Sequence, residues 1–361
     1  MRLFESVHFI SQSDHHKSCT ERNCGPWNDD YLRPRDNMYT SLFPLAAIGT
    51  IWTSLLILKV LNFIWIYFLR PSSIRKYHHN HVHSSAPPWA IITGASDGIG
   101  KHYAHELARL SFNIVLHGRN ATKLHHLRTE LHDEFPHLSF RAIVADASKS
   151  GPESSKHIQE LVDTLRDLHV TILINNVGSG NYRNGTVYAE IQDTDPEDID
   201  HLINVNARFP AQFTRAAVPL LLSHGGPALI LTMGSMGELG SPKLSVYGAA
   251  KCFDMSFSRA LRREMMMAGR EHVEVLGIMT GSVTGVSHTK SKATLQTPDS
   301  GEFARGAFQK VGCGEDVVAA TPFQGLVWNM LGAMPLFLRD RSLMSGIRRD
   351  MDMRAKLAKK S

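Results

Sequence analysis

The glycine-rich stretch Thr93–Gly100 constrains the fold of this chain more than any other feature. It follows the apolar, β-branched run Trp89–Thr93, which is typical of a buried strand, and it precedes a helical pattern over His102–Leu110. A strand, a glycine turn and a helix in this order predict an α/β fold of the Rossmann type, with a doubly wound parallel sheet. The glycines let the backbone approach a dinucleotide pyrophosphate, and the helix N-terminus offers N–H groups to its phosphates. A glycine cluster alone is also compatible with an ordinary turn.

The second predicted strand, Asn113–Leu116, leads to Arg119. NAD-binding enzymes commonly place a carboxylate near the end of this strand to bind the ribose 2′-hydroxyl. No Asp or Glu occurs between Glu106 and Glu130. Arg119 stands where a 2′-phosphate needs a cation, which favours NADP(H), although a solvated surface arginine is the alternative.

Two further apolar runs predict strands that continue the sheet. Ala142–Asp146 ends in a carboxylate suited to the adenine edge, and Thr171–Ile174 delivers Asn175 to the carboxyl edge of the sheet. Ligands bind at this edge in open α/β sheets. Asp146 and Asn175 are therefore candidate cofactor contacts.

Tyr247 and Lys251 lie four residues apart, a spacing that places them on the same face of a helix. A free phenol has a pKa of about 10, and a neighbouring ammonium group favours the phenolate. The pair predicts a tyrosine that donates a proton to a carbonyl oxygen, with Ser235 holding that oxygen by a hydrogen bond. Each residue alone is compatible with a structural role, and Ser235 could simply bond its own backbone.

The chain from about Trp89 onward resembles the short-chain dehydrogenases/reductases. Within that superfamily it is similar to the membrane-bound very-long-chain 3-oxoacyl-CoA reductases and their 17β-hydroxysteroid dehydrogenase relatives. The resemblance rests on three stretches: Thr93–Lys101, Ile174–Gly178 and Leu229–Ser235.

This resemblance implies an NADP(H)-dependent enzyme that reduces a 3-oxoacyl-CoA to its 3-hydroxy form in fatty-acid elongation. One alternative keeps the mechanism but takes a steroid or another lipophilic ketone. A second alternative is a membrane scaffold that retains the fold without turnover. The resemblance also implies a homodimer, fatty-acid elongation partners and residence in the endoplasmic reticulum.

The resemblance assigns roles to individual residues. Lys251 would bind the nicotinamide ribose, and Asn206 would anchor a water that extends the proton relay, with Asn204 as the less favoured alternative. We therefore predict Tyr247, Lys251, Ser235 and Asn206 as catalytic residues. The predicted cofactor-binding residues are Gly94, Ser96, Asp97, Gly98, Ile99, Gly100, Arg119, Asp146, Asn175, Tyr247, Lys251 and Val283. No metal site is predicted, since the histidines and cysteines lack ligand spacing.

The sequence departs from the family pattern in three respects. Ser235 precedes Tyr247 by twelve residues, whereas the family usually has thirteen, so the intervening loop is predicted to be one residue shorter. The segment Met279–Thr284 lacks the Pro-Gly common in the superfamily, and Gly285 stands where a threonine often contacts the nicotinamide amide. These changes affect the predicted substrate range and cofactor binding, but they leave the predicted proton donor in place.

A membrane anchor is predicted over Leu42–Leu69, a 28-residue stretch whose only charged residue is Lys59. As a helix it would span about 42 Å, enough to cross a bilayer. A buried helix or hairpin and a signal-type segment are the alternatives, but the stretch begins late for a cleaved signal peptide. Basic residues after the stretch weakly favour a cytosolic catalytic domain.

The C-terminal tail is basic. The formal net charge of +5 comes from this tail, Arg339–Ser361, which has eight basic and three acidic residues. No nucleic-acid recognition module is present in the sequence. This tail suits an anionic membrane surface or solvent. Phe323–Leu338 could dip into the membrane, line an acyl-chain entrance or pack as a core or interface helix.

These features divide the chain into four segments. They are a polar N-terminal tail (1–41), the anchor (42–69), a linker (70–88) and the enzyme domain (89–361). In the N-terminal tail, Cys19 and Cys24 either pair or stay free. The enzyme domain includes a predicted lid (285–311) and a hydrophobic segment followed by the basic tail (323–361).

Overall fold

The computed structural model describes residues 38–80, 86–286 and 292–358. Cys19, Cys24 and most of the predicted polar tail lie outside these residues, as do parts of the linker and of the predicted lid. The chain divides into two compact units, residues 1–61 and residues 62–361.

The second unit is built on a seven-stranded sheet in which every neighbouring pair is parallel. Its strand order is β3-β2-β1-β4-β5-β6-β7. The direction of winding reverses between β1 and β4, which creates the crevice where ligands bind in such sheets. The predicted fold class is confirmed. The strands are β1 (Trp89–Ile92), β2 (Asn113–Gly118), β3 (Phe140–Val144), β4 (Val170–Asn175), β5 (Ala228–Met233), β6 (Val273–Met279) and β7 (Val317–Ala319).

Helices cover both faces of the sheet. One buried apolar cluster joins the sheet to α2, α3 and α8, and a second joins the opposite face to α4, α6 and α7. Near-continuous apolar strands are what a sheet buried on both faces requires. The helices are α1 (Met38–Ile64), α2 (Gly98–Arg109), α3 (Ala121–Glu134), α4 (Gly151–Asp163), α5 (Pro196–Ile203), α6 (Phe209–Leu222), α7 (Ser245–Met267), α8 (Ser300–Lys310), α9 (Pro322–Ala333) and α10 (Leu336–Ala358).

Helix α1 is apolar all round, and a π-helical turn over Trp65–Leu69 extends it. The stretch Pro44–Leu69 is long and apolar enough to cross a membrane, and its most apolar part has no buried residues. An exposed helix without a polar face is unfavourable in water and suits lipid. This stretch is the candidate anchor, and it lies within the predicted 42–69.

The residues after this helix pack into the second unit. The hydroxyl of Tyr67 donates to the carbonyl oxygen of Ala319 at 3.1 Å, and Lys310 Nζ donates to the carbonyl oxygen of Ile66 at 3.2 Å. Tyr77 is fully buried, and its hydroxyl donates to Glu274. The packed unit thus begins well before the glycine turn, and part of the predicted linker 70–88 belongs to it.

After β6, the described residues add three helices and one strand. Residues 300–310 of the predicted lid form α8, whose Phe303, Ala304 and Ala307 are fully buried. A mobile lid therefore stays a prediction only for the residues between Gly285 and α8. Helix α10 contains most of the basic tail and is held through Asp350, which accepts from the hydroxyl of Tyr188 at 2.5 Å.

Candidate active site

The glycine turn after β1 brings three backbone segments close together. Gly94 has a φ of +66°, and a Cβ there would lie 2.9 Å from Cα of Val177 at the end of β4. A Cβ on Gly100 would collide with the carbonyl oxygen of Gly94, and one on Gly98 would lie 2.9 Å from a methyl group of Val286. Only glycine fits these three positions. The turn therefore exposes backbone without side chains, which suits a pyrophosphate.

Asp97 caps helix α2, which begins in this turn. Its Oδ1 accepts from the backbone N–H of Gly98 at 2.8 Å, and its Oδ2 lies 3.0 Å from Lys123 Nζ on α3. A carboxylate at a helix N-terminus stabilises the first turn. Ser96 is near the end of β2, because a Cβ on Gly118 would lie 3.3 Å from its Oγ, while Ile99 packs against the apolar core.

Asn175, the last residue of β4, and Asn176, which follows it, have different hydrogen-bond partners. Asn176, which the sequence analysis did not single out, donates from Nδ2 to the carbonyl oxygens of Thr93 and Gly94 at 3.0 and 3.1 Å. Asn175 instead donates to Thr214 at 2.8 Å inside the domain. Any contact from Asn175 to a cofactor would therefore come from its backbone. Asn176 holds the glycine turn to the end of β4.

The carboxyl ends of β2 and β3 place Arg119 beside Asp146. Arg119 is exposed. Burial raises the pKa of Asp146, but hydrogen bonds from Ser148 and the charge of Arg119 outweigh burial and hold the pKa below its ordinary value. Lys123 adds a second cation near the glycine turn through its pair with Asp97. The sequence offered no signal for Lys123, whose position one turn into α3 becomes meaningful only in the fold.

Tyr247 and Ser235 lie on either side of Gly237. A Cβ on Gly237 would be 3.3 Å from Cε1 of Tyr247 and 3.4 Å from Oγ of Ser235. Ser235 ends the segment after β5, and its Oγ accepts from the backbone N–H of Gly237 at 3.2 Å. That acceptance leaves the serine hydroxyl proton available to a substrate oxygen. The predicted Ser235 therefore reaches Tyr247 despite the shortened spacing.

Asn206 and Lys251 face each other across Gly178. A Cβ on Gly178 would be 3.0 Å from Oδ1 of Asn206 and 3.1 Å from Nζ of Lys251. Asn206 is fully buried, accepts from the backbone N–H of Ser179 at 2.9 Å and lies in a π-helical turn before α6. Such turns occur frequently at functional sites. Asn206, rather than Asn204, is therefore the residue that the fold brings to the lysine.

Lys251 lies on α7, and its ammonium group is buried among polar partners. Nζ donates to the carbonyl oxygen of Met233 at 3.0 Å and to Oδ2 of Asp254 at 2.9 Å. Burial alone would lower the pKa of Lys251, but Asp254 and Tyr247 outweigh it and raise the pKa above its ordinary value. The lysine is therefore a cation at neutral pH. Asp254 was not among the predicted residues.

The segment after β6 closes over the glycine turn. Val283 is buried in the core that includes α2 and α8. Thr284 donates its backbone N–H to the carbonyl oxygen of Pro298 at 2.9 Å, so this hydrogen bond joins the two ends of the loop between them. Gly285 has a φ of +76°. This backbone accommodates the sequence without the Pro-Gly pair common in the superfamily.

A nicotinamide dinucleotide fits the residues of this edge. The bare turn and the N-terminus of α2 suit the pyrophosphate, and Asp146 and Arg119 suit the adenosine half. Tyr247 and Ser235 approach Gly237, and Lys251 approaches Gly178. The described residues contain no group of His, Cys, Asp and Glu side chains able to hold a metal ion. The fold and this arrangement define a dinucleotide-dependent oxidoreductase.

Comparison with known proteins gives the family. The model of the short chain dehydrogenase family matches residues 88–296, more than half of the chain. This chain belongs to the short-chain dehydrogenase family. It is 30% identical over 327 residues to a very-long-chain 3-oxoacyl-CoA reductase of Schizosaccharomyces pombe, covering 82% of this chain and 91% of the relative.

Two solved structures share the fold. A 7β-hydroxysteroid dehydrogenase superposes with a TM-score of 0.60 at 20% identity and covers 74% of this chain and 98% of its own. A short-chain dehydrogenase of Sphingobium yanoikuyae in complex with NADPH superposes with a TM-score of 0.53 at 22% identity, covering 69% and 97%. At these identities the likeness concerns the fold alone.

Proposed function

We propose that this protein reduces a 3-oxoacyl-CoA to the 3-hydroxyacyl-CoA with NADPH, as a step in very-long-chain fatty-acid elongation. The observation that carries the proposal is the meeting of Tyr247, Ser235, Lys251 and Asn206 around Gly178 and Gly237. The yeast relative, named for this reaction, aligns over most of both chains and supports the substrate class.

The chain's own residues manage the proton. NADPH, when bound, supplies the hydride to the carbonyl carbon. Ser235 holds the carbonyl oxygen by a hydrogen bond, and Tyr247 donates its phenolic proton to that oxygen. The Lys251 ammonium stabilises the phenolate that remains, and Asn206 continues the polar path through which the proton is replaced. Because Lys251 is buried, its charge acts on Tyr247 with little screening by solvent.

The cofactor in this proposal is NADP(H). Arg119 stands at the end of β2 without an acidic residue nearby on that strand, which suits a 2′-phosphate. The complex of the Sphingobium yanoikuyae relative with NADPH is consistent with this choice.

We further propose residence in the endoplasmic reticulum membrane through α1, with the catalytic domain in the cytosol. The exposed apolar surface of α1 supports membrane attachment, and the basic residues that follow it support the orientation. Protease protection of a C-terminal tag in sealed microsomes tests this orientation. A homodimer and association with elongation enzymes complete the proposal. Phe253, 44% exposed on α7, offers apolar surface for such a contact.

The deciding experiment is NADPH oxidation by the membrane-embedded protein with a long 3-oxoacyl-CoA, with estrone in parallel. Tyr247→Phe should reduce acyl-CoA turnover by about 10³-fold, because a positioned general acid contributes about 10²–10⁴-fold. Tyr103→Phe, which changes a fully buried tyrosine in the core, is the control. Turnover of estrone alone would move the substrate to the steroids. Bound NADPH without turnover of either ketone would favour a scaffold.

The cofactor preference has its own test. Arg119→Ala should weaken NADPH binding by about tenfold while leaving NADH binding unchanged, because a hydrogen-bonded ion pair to the 2′-phosphate is lost. Arg128→Ala, which changes an exposed arginine on α3 rather than at the end of β2, is the control. Equal loss for both cofactors would show that Arg119 does not read the 2′-phosphate.

A further inference from the structure

Asp254 follows Lys251 by three residues on α7, and both side chains are withdrawn from solvent. Lys251 is 4% exposed and Asp254 is 1% exposed, and the ammonium and carboxylate form an ion pair at 2.9 Å. Buried carboxylates are rare unless they are paired or take part in function. This carboxylate contacts the lysine of the proposed active site.

The hydrogen bonds of Lys251 limit what its ammonium group can do. It carries three N–H donors. Among the described residues, Met233 and Asp254 accept from two of them, and Gly178 and Asn206 line the space beside Nζ. One N–H of the ammonium group is therefore left for a further acceptor, which in the proposed function is the nicotinamide ribose. Asp254 and the Met233 carbonyl together set the direction of that N–H.

The charge of the pair also matters for Tyr247. An unpaired ammonium beside a phenol favours the phenolate, which cannot donate a proton. Asp254, at 2.9 Å from the ammonium, offsets part of this field at Tyr247.

We propose that Asp254 is a positioning residue that orients the Lys251 ammonium and offsets its charge at Tyr247. This inference rests on the proposed catalytic roles of Lys251 and Tyr247. Asp254 does not contact the substrate in this proposal and acts through the lysine.

The surroundings of the pair are consistent with this function. Within the described chain, the titratable groups that act on the pair all lie on α7: Tyr247, Lys251 and Asp254 themselves. Strand β5 contributes the neutral Met233 carbonyl, and the π-helical turn contributes the neutral Asn206. Burial raises the pKa of Asp254 to about 6, and the charge of Lys251 limits the rise. Both groups are therefore ionised at neutral pH.

The first test measures NADPH binding without substrate, by nicotinamide fluorescence, from about pH 6.5 to about pH 10. The full-length protein in detergent or nanodiscs carries Asp254→Asn, which keeps the shape of the side chain and removes its charge. Ser258→Ala, at a fully buried serine one turn further along α7, is the matched control. Asp254→Glu tests rescue by a second carboxylate.

The wild type and Ser258→Ala should keep their affinity across this range, because the ammonium stays charged. Asp254→Asn should lose affinity by about tenfold at the alkaline end, because a buried ammonium without its counterion loses its proton there. The midpoint of that loss should lie at least about one pH unit below any wild-type midpoint. Asp254→Glu should move the midpoint back towards the wild type. Identical profiles for the wild type and Asp254→Asn would overturn the proposal.

The second readout is the pH profile of turnover. In Asp254→Asn the alkaline limb of kcat should move towards neutrality by about one pH unit, because the buried lysine loses its proton at a lower pH without its counterion. The binding profile needs no substrate, so it separates failure of this inference from a wrong substrate class. A shift of the same size in Ser258→Ala would mean that any change in the packing of α7 has this effect, and would overturn the specific role.

If Asp254→Asn does not fold, melting temperatures decide. Lys251→Met alone leaves a buried carboxylate without its cation, whereas Lys251→Met with Asp254→Leu removes both charges. The double variant should melt at or above the temperature of Lys251→Met. A double variant that melts lower would show that Asp254 does not depend on the lysine, and would overturn the pairing.

Discussion

Helices α1 and α7 are both long, with 27 and 23 residues, but their side chains meet opposite surroundings. From Leu45 to Leu61, α1 presents leucine, isoleucine, valine and tryptophan side chains outwards and buries none of them. Helix α7 instead buries polar groups, with Lys251, Asp254 and Ser258 all almost fully withdrawn from solvent. Apolar residues lie outside in one helix and charged residues lie inside in the other.

The difference shows that hydrophobicity alone does not tell which residues are buried. Helix α1 satisfies its backbone hydrogen bonds internally and needs no protein partner if lipid surrounds it. Helix α7 can bury an ammonium group because Asp254 and the Met233 carbonyl compensate for its lost hydration. The two helices therefore depend on different surroundings: α1 on the lipid of the proposed membrane location, and α7 on polar partners inside packed protein.

The largest effect is expected from placing charges on α1. Leu55 and Leu58 are 50% and 61% exposed, so Leu55→Asp with Leu58→Asp should leave the fold of the second unit intact. Each aspartate at the centre of a membrane helix costs about 3 kcal/mol. The protein should then move from the carbonate-resistant membrane pellet into the soluble fraction.

The matched control carries Leu55→Ile with Leu58→Ile and should stay in the pellet. If the aspartate variant also resists extraction, α1 is not the segment that holds the protein in the membrane. The contrast between lipid-facing α1 and protein-facing α7 would then be broken.

The pH dependence of stability at His117, a histidine in the domain interior, tests how unfavourable a charge without a partner is inside the packed protein. Burial lowers the pKa of His117 to about 4, and its ring stacks on Phe209 with centroids 4.9 Å apart. The unfolded chain takes up this proton near pH 6.5, so the stability that neutral His117 confers is complete above that pH. It is lost as pH falls towards 4. Between pH 7 and pH 4.5, the free energy of unfolding should therefore fall by about 2–3 kcal/mol through this group.

His117→Leu should remove that part of the pH dependence in denaturant titrations of the full-length protein. His132→Gln, at an exposed histidine of α3, should leave it unchanged. If the free energy of unfolding of His117→Leu depends on pH as it does in the wild type, the interior tolerates charge at this site better than the packing suggests.

The sequence predicts regular elements better than single contacts. The strand pattern and glycine spacing predicted β1, β2 and β4 within one or two residues, because an apolar run buried on both faces is a local property. Strand β3 was predicted two residues too late, since its side chains are largely exposed and the pattern is weaker there. Strand β7 and helix α10 were not predicted as elements.

The site was predictable as far as motifs extend. Tyr247, Lys251, Ser235 and Asn206 were identified from their order, and the fold brings them together. Asp254 was missed because an acid three residues after a lysine is ordinary on a helix surface, and only burial makes it significant. Asn176 and Lys123 were missed because their partners come from distant segments. Such contacts depend on tertiary packing, which no spacing rule encodes.

The smallest effects compare one substitution in the two helices. A Cβ on Gly248 of α7 would lie 2.5 Å from the carbonyl oxygen of Gly237, the glycine next to Ser235 and Tyr247, whereas a Cβ on Gly49 of α1 meets nothing within 4 Å. Gly248→Ala should lower kcat by about 10–100-fold, because a small displacement of reacting groups has effects of this size. Gly49→Ala should leave kcat unchanged and favour the helix slightly. NADPH oxidation with a saturating ketone substrate measures both. Equal kcat values of the two variants would show that the close approach of α7 to Gly237 is not needed for catalysis. The two helices would then differ in their surroundings but not in their tolerance of an added methyl group.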